Sequence, residues 1–286
     1  MPFWKQFAFC LGFAWTAAMA QSMETPVAIR IDHVMVEHKM PAQIYGLFTK
    51  QFQLPVMWPM ADYGQFSSGG VFFGNVVLEF GRFGTLPATA PQNARLAGIA
   101  LAPAFSAAAS ITALDQRNIG HGAPEPFTTT NANGQSQTLW TNVVVNDIGP
   151  SRALLFVCHY QFDTQPALTS SGSKLASIQG GPLGLLGVKD IVVETTDFDA
   201  SRAKWRALLA PAQEKSPDEF TLGSGPAIKL VKGSADALRS LTLEVASLPA
   251  ARQALTDQNV ATIENGAGIE IAGKDFDGLR LTLVQR

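Results

Sequence analysis

The chain has 286 residues, 47% of them hydrophobic and 15% charged, with 21 basic against 23 acidic residues and a formal net charge of -2. That balance, with no long run of either sign, excludes a surface built to attract nucleic acid or an anionic membrane. Two cysteines, Cys10 and Cys158, are too few for a disulfide framework, and the length suggests about two domains stabilised by hydrophobic cores.

The first twenty residues carry one early cation, Lys5, then an uncharged apolar stretch from Phe7 to about Trp15, and end in Ala18-Met19-Ala20. This is the order of a secretory signal with a small-residue cleavage site, so residues 1–20 are expected to be an export signal and the mature protein periplasmic or secreted. A buried first helix is the alternative. The apolar stretch falls well short of the roughly 20 residues that span a bilayer, so no membrane span is expected once the signal is gone. Cys10 would leave with it, and Cys158 would then have no intramolecular disulfide partner.

Four stretches then repeat one form: an alternating or apolar strand leads into a helical pattern and Gly-punctuated β-rich segments follow. The first pairs Ile31-Asp32-His33-Val34-Met35-Val36-Glu37 with a helix starting near Pro41. The second pairs Leu96-Ala97-Gly98-Ile99-Ala100-Leu101 with a helix near Ala104. The third pairs Asp190-Ile191-Val192-Val193-Glu194 with Ser201 to Leu209, and the fourth pairs Leu241-Thr242-Leu243-Glu244-Val245 with Pro249 to Gln258. Units of this length cannot bury their own apolar face alone, so they must pair. Gly120 to Gln137, polar and rich in Gly, Asn and Thr, reads as a long loop, either a lid or idle surface. Gln165 to Gly184 is Ser/Gly-rich and reads as a linker between the two pairs.

Ile31-Asp32-His33-Val34, the helix with Tyr45 and Phe48, and Gly74-Asn75-Val76-Val77-Leu78-Glu79-Phe80 resemble the vicinal oxygen chelate superfamily of glyoxalase I, extradiol dioxygenases and bleomycin-resistance proteins. They are similar to its opening strand with a histidine and its closing strand with a glutamate. The resemblance implies an α+β fold in which paired βαβββ modules form curved mixed sheets whose concave faces hold the site. Two such domains are expected, residues 21–164 and 185–286, joined by the 165–184 linker.

Strand alternation puts His33, Met35 and Glu37 on one face and Val34 and Val36 on the other. If the valine face packs on the helix, His33 looks into the concave side, and the resemblance sets Glu79 beside it. An inward carboxylate in an apolar sheet needs a partner; a divalent metal would be one, Arg82 or Arg30 another. In the family two further ligands come from the equivalent strands of the paired unit. Gly98 stands where His33 would repeat, so one is missing, while laying Leu155 to Tyr160 on Val76 to Phe80 sets His159 on the position of Glu79. The implied metal set is His33, Glu79 and His159, suited to Zn²⁺, Fe²⁺ or Mn²⁺, with Glu79 the candidate catalytic base. A one-residue shift of that strand would turn Cys158 inward instead. His38 and His121 read as solvent-facing, with His121 a lesser candidate for a lid contact.

Trp58, Tyr63, Phe66, Phe72, Trp140 and Tyr160 would line such a site and favour an apolar, ring-bearing ligand, or else are core. Serine-nucleophile, phosphate-loop and dinucleotide motifs are absent. All four histidines precede Gln165, and the second pair of units offers Ile191 or Asp190, Lys229 or Ile228, Ser240 and Thr282, which is no metal set. Asp190 is expected to pair with Lys229, and the second domain to be structural, shielding the first or supporting a homodimer. Two functions fit: an exported metal-dependent lyase, isomerase or dioxygenase acting on a small substrate with adjacent oxygens, or a metal-free protein sequestering a small apolar or aromatic ligand.

Overall fold

The computed structural model describes residues 26–83, 93–130, 133–150, 153–211, 213–266, 268–271, 276 and 278–286. The segment read as an export signal lies outside them. Four βαβββ modules follow one another. The first is β1 (Ala28–Glu37), the helix Pro41–Gly46 with a wider π-type turn over Leu47–Gln51, then β2 (Val56–Asp62), β3 (Ser67–Phe72) and β4 (Val77–Arg82). The second is β5 (Arg95–Pro103), the helix Ala107–Gln116, β6 (Glu125–Thr130), β7 (Ser136–Val144) and β8 (Leu154–Tyr160). The third comprises β9 (Leu185–Thr195), the helix Phe198–Leu209, β10 (Gln213–Ser216), β11 (Glu219–Thr221) and β12 (Ala227–Lys232); the fourth, β13 (Ala237–Val245), the helix Leu248–Asp257, β14 (Thr262–Asn265), β15 (Gly268–Ile271) and β16 (Leu281–Gln285).

Modules pair to give two eight-stranded mixed sheets, ordered β2-β3-β4-β1-β5-β8-β7-β6 and β10-β11-β12-β9-β13-β16-β15-β14. In each, the two modules meet at their opening strands, which run antiparallel, while each opening strand is parallel to its own module's last strand. This α+β architecture is the one expected. Three of the described helices start where a side chain caps them: Ser106 accepts from the Ala109 amide, Asp197 from Ala200 and Ser247 from Ala250. Apolar faces of both sheets form one continuous core, with Ile31, Val34, Val36, Leu78 and Phe80 from the first and Ile191, Val193, Leu241 and Leu243 from the second. Among the described residues no helix is long and apolar enough to cross a membrane.

Two connections hold elements that were not expected. Within the 165–184 segment joining the two sheets, Gln165–Ser177 is a helix with Pro166 in its first turn and Ser171 and Leu175 buried. Its polar Ser/Gly composition hides a narrow buried face, and only packing beside the first sheet stabilises so weak a helix former. The 120–137 loop holds β6 and the start of β7, a hairpin at the sheet edge whose β-branched run Thr128-Thr129-Thr130 suits a strand.

The two halves are fastened directly. The Asn75 side-chain amide donates to the Val188 carbonyl and its oxygen accepts from the Val188 amide, both at 2.9 Å. Gly74 beside it has φ +89°, and a Cβ there would collide with the Leu186 carbonyl. Phe276, late in the chain, packs its ring on Phe48 at 5.5 Å and Phe52 at 6.0 Å.

Candidate functional site

The site begins with a β-bulge. Ile31 pairs with Leu101 and His33 with Ala100, so β1 advances two residues where β5 advances one, and Asp32 is the extra residue. A bulge re-aims side chains. Asp32 and His33, neighbours in sequence, therefore meet, with His33 Nδ1 2.9 Å from Asp32 Oδ2. Beyond the bulge alternation resumes, placing Val34 and Val36 in the core and Met35 in a second, smaller apolar cluster with Ala97, Ala100, Phe156 and Cys158.

On its other side His33 Nε2 lies 3.1 Å from Glu79 Oε2, delivered by β4, which runs parallel to β1. The carboxylates are held in turn. Ser68 on β3 donates to Glu79 Oε1 at 2.6 Å, and Trp58 Nε1 on β2 donates to Ser68 Oγ at 2.9 Å. Tyr160 on β8 donates its hydroxyl to Asp32 Oδ2 at 3.0 Å, and Arg30 stands 3.0 Å from Asp32 Oδ1. Phe156 and Trp58 set ring edges against the imidazole, with centroids 5.7 and 6.5 Å away. Glu79 thus finds neither of the arginines suggested as partners.

His33 is 5% exposed. Burial alone would favour the neutral ring, but the hydrogen bonds and charges of Asp32 and Glu79 prevail and raise its pKa to about 10. Burial likewise opposes ionisation of Asp32, yet His33, Arg30 and Tyr160 hold its pKa below the usual 3.8. The result is an imidazolium clamped between two carboxylates. Burial, first, and the nearby Asp32 push the Tyr160 phenol well above its ordinary range.

The register fixes which residues of the second module correspond to His33 and Glu79. His33 pairs with Ala100 and Met35 with Gly98, so the local two-fold relates His33 to Gly98 and Met35 to Ala100. Met35 lies opposite Glu79 on β4, and Ala100 lies opposite Phe156 on β8. Phe156, and not His159, therefore occupies the position of Glu79. The expected alignment was off by three residues, because β8 turns Phe156, Cys158 and Tyr160 toward the His33 side and His159 to the other. His159 is buried, its Nε2 has no hydrogen-bond partner, and burial lowers its pKa. Cys158 faces inward as a buried thiol, its pKa raised chiefly by burial.

The structure thus brings together His33 and Glu79 but not His159. Among the described residues no group of three or more His, Cys, Asp and Glu side chains is arranged to hold a metal ion. A complete metal set does not fit: of the four related positions two carry donors, Phe156 packs its ring on His33, and a Cβ at Gly98 would already lie 2.8 Å from the Met35 sulfur and the Leu154 carbonyl. His38, expected at the surface, is 2% exposed and accepts from the Met40 amide. His121 is half-buried beside Asp115, 3.0 Å away.

Of the expected aromatic lining, Trp58, Trp140 and Tyr160 lie on the His33 side. Tyr63 and Phe66 stand at the β2–β3 turn, and Phe72 belongs to the main core. Sequence reasoning missed Asp32, which simple alternation sends to the opposite face, and Ser68, hidden in the turn-like Ser67-Ser68-Gly69-Gly70. It also missed Phe127, for which the β-branched run after it was the available signal.

In the second sheet the same register sets Asp190 on the position of His33 and Lys229 on that of Glu79. Asp190 Oδ1 is buried without a hydrogen-bond partner, and burial raises the carboxyl pKa.

No protein-family model matches the sequence, and no curated protein matches it. Solved structures do match in fold. A hypothetical protein from Staphylococcus aureus shares 10% identity over 90% of this chain and 99% of its own, with a TM-score of 0.58. The 2,3-dioxygenase LapB from Pseudomonas sp. KL28 shares 9% over 92% and 93%, with a TM-score of 0.57. Homoprotocatechuate 2,3-dioxygenase from Arthrobacter globiformis shares 12% over 92% and 81%, also at 0.57. The chain has the vicinal oxygen chelate fold. It is a two-sheet, four-module protein, and extradiol dioxygenases match its fold over nine-tenths of its length.

Proposed function

We propose that the protein captures a small aromatic ligand on the concave face of the first sheet, without requiring a metal. The observation that carries this reading is the pair of positions related to His33 and Glu79: they hold Gly98 and Phe156, a space-saving residue and a ring, in place of two donors. Trp58, Phe156 and Trp140 supply apolar area, and the free lone pairs of Glu79 and of the Tyr160 oxygen orient a hydroxyl or amide on the ligand. His33, with both ring nitrogens engaged, holds the two carboxylates in place.

A second reading, metal-assisted chemistry on a substrate with adjacent oxygens, is favoured by one observation. His33 Nε2 and Glu79 Oε2 lie 3.1 Å apart at family ligand positions, but the missing ligands would have to come from solvent or substrate.

The test is elemental analysis of the untagged protein after incubation with Zn²⁺, Fe²⁺ and Mn²⁺, beside calorimetry with phenol and catechol. Aromatic binding that survives chelation and Glu79→Gln supports capture. About one equivalent of metal, lost in Glu79→Gln together with ligand binding, supports the second reading and sinks the first. Residues 1–20 are read as the export signal, and amino-terminal sequencing of the protein from the producing cell checks cleavage before Gln21.

A further inference from the structure

β2 and β6 are the two ends of the first sheet, with six strands between them, yet rings carried at those ends touch. Tyr63 and Phe66, at the β2–β3 turn closed by the Tyr63 amide on the Phe66 carbonyl, stack at 4.9 Å. Phe127 of β6 meets Tyr63 edge-on at 6.3 Å and Phe66 at 5.4 Å, and stacks on Trp140 of β7 at 4.3 Å and 12°. Such contacts require the sheet to curl until its edges converge. From this closure a row of aromatic residues leads inward, because Trp140 pairs in register with Tyr160, whose hydroxyl reaches Asp32 beside His33. Cys158, 2% exposed, packs with Met35 and Phe156 on the same side, against Trp140 and Tyr160.

We infer that Tyr63, Phe66, Phe127 and Trp140 form the mouth of the concave site, and that they select flat, ring-bearing ligands, which enter by parting Phe127 from Tyr63 and Phe66. This rests on the ligand-capture reading above. Four exposed or half-buried rings offer a surface on which a planar ring can replace one ring-on-ring contact with another as it passes. A puckered ring of equal size cannot stack in that way. Among the described residues β2 and β6 are not paired strands, so parting these rings breaks no strand pairing.

The buried thiol reports opening without any knowledge of the ligand. Alkylation of Cys158 by iodoacetamide in the full chain, followed by peptide mass spectrometry so that Cys10 is scored separately, measures how often the concave side is reached. Phe127→Ala removes both contacts across the mouth, and labelling is expected to accelerate about tenfold, with no dependence on low concentrations of urea. Leu243→Ala, a core truncation in the second sheet, controls for global unfolding. An unchanged rate in Phe127→Ala, or an acceleration that grows with urea and is matched by Leu243→Ala, overturns the mouth.

Wild-type labelling is then repeated with phenol and with cyclohexanol. Slowing by phenol alone supports selection of flat rings, and equal slowing by both overturns that selection while the mouth stands. Slowing by neither, with Phe127→Ala still fast, overturns aromatic capture and leaves the opening result intact, so the two failures are distinguishable.

Discussion

His33 Nε2 lies 3.1 Å from Glu79 Oε2 while its Nδ1 lies 2.9 Å from Asp32 Oδ2, so one buried imidazolium joins carboxylates from two parallel strands. This arrangement ties the opening strand of the first module to its closing strand on the side away from the main core. Its consequences can be measured separately from any ligand.

Glu79→Gln keeps the shape and an acceptor for Ser68 but removes one of the two charges raising the His33 pKa. The His33 pKa, followed by NMR titration, is expected to drop from about 10. With Asp32 still in place, the stability loss at neutral pH should be about 1–2 kcal/mol, smaller than the roughly 3–5 kcal/mol that follows when a buried pair is fully broken. An unmoved His33 pKa would contradict the contact.

Stability should also fall at alkaline pH. Because the folded pKa of His33 is raised, its contribution is fully present below the unfolded value near 6.5 and is lost as pH rises through about 10. Asp32, with a lowered folded pKa, contributes above its unfolded value of 3.8 and loses that contribution as pH falls through its depressed value. Urea denaturation between pH 6 and 10 should show unfolding free energy declining by up to about 1.4 kcal/mol per pH unit, with the decline absent in His33→Gln.

The register makes a sharper test of the metal question. Phe156→His places a third donor at the position related to Glu79, and this variant is expected to retain about one equivalent of Zn²⁺ through dialysis, more than the wild type. His159→Ala, on the opposite face, should leave metal content and aromatic binding as they are. The reverse pattern would restore the alignment that sequence alone suggested.

Asn75→Ala removes both hydrogen bonds to the Val188 backbone. A loss of about 2 kcal/mol is expected, together with weaker coupling between the halves, visible as a broader or biphasic denaturation curve. Asn75→Asp keeps the acceptor and should recover part of it.

Much of the fold was legible because its signals are local. Strand, helix and Gly-punctuated strands recur four times, and the resemblance around His33 and Glu79 supplied the pairing of modules. The 165–177 helix was illegible because its sequence is polar and Ser-rich, and its stability depends on two buried residues meeting the neighbouring sheet. The β6 edge strand was read as loop because an edge strand needs little apolar character of its own.

For the site, the sequence by itself determined that His33 shares a face with Met35 and that Glu79 points away from Leu78 and Phe80, since side-chain alternation has a fixed period of two. Only the tertiary structure decided that Asp32 joins His33, that Phe156 replaces the expected His159, and that Phe127 closes on Tyr63 and Phe66. Bulges, register and sheet curl are set by what neighbouring strands present to one another, and no periodicity within a single strand encodes them.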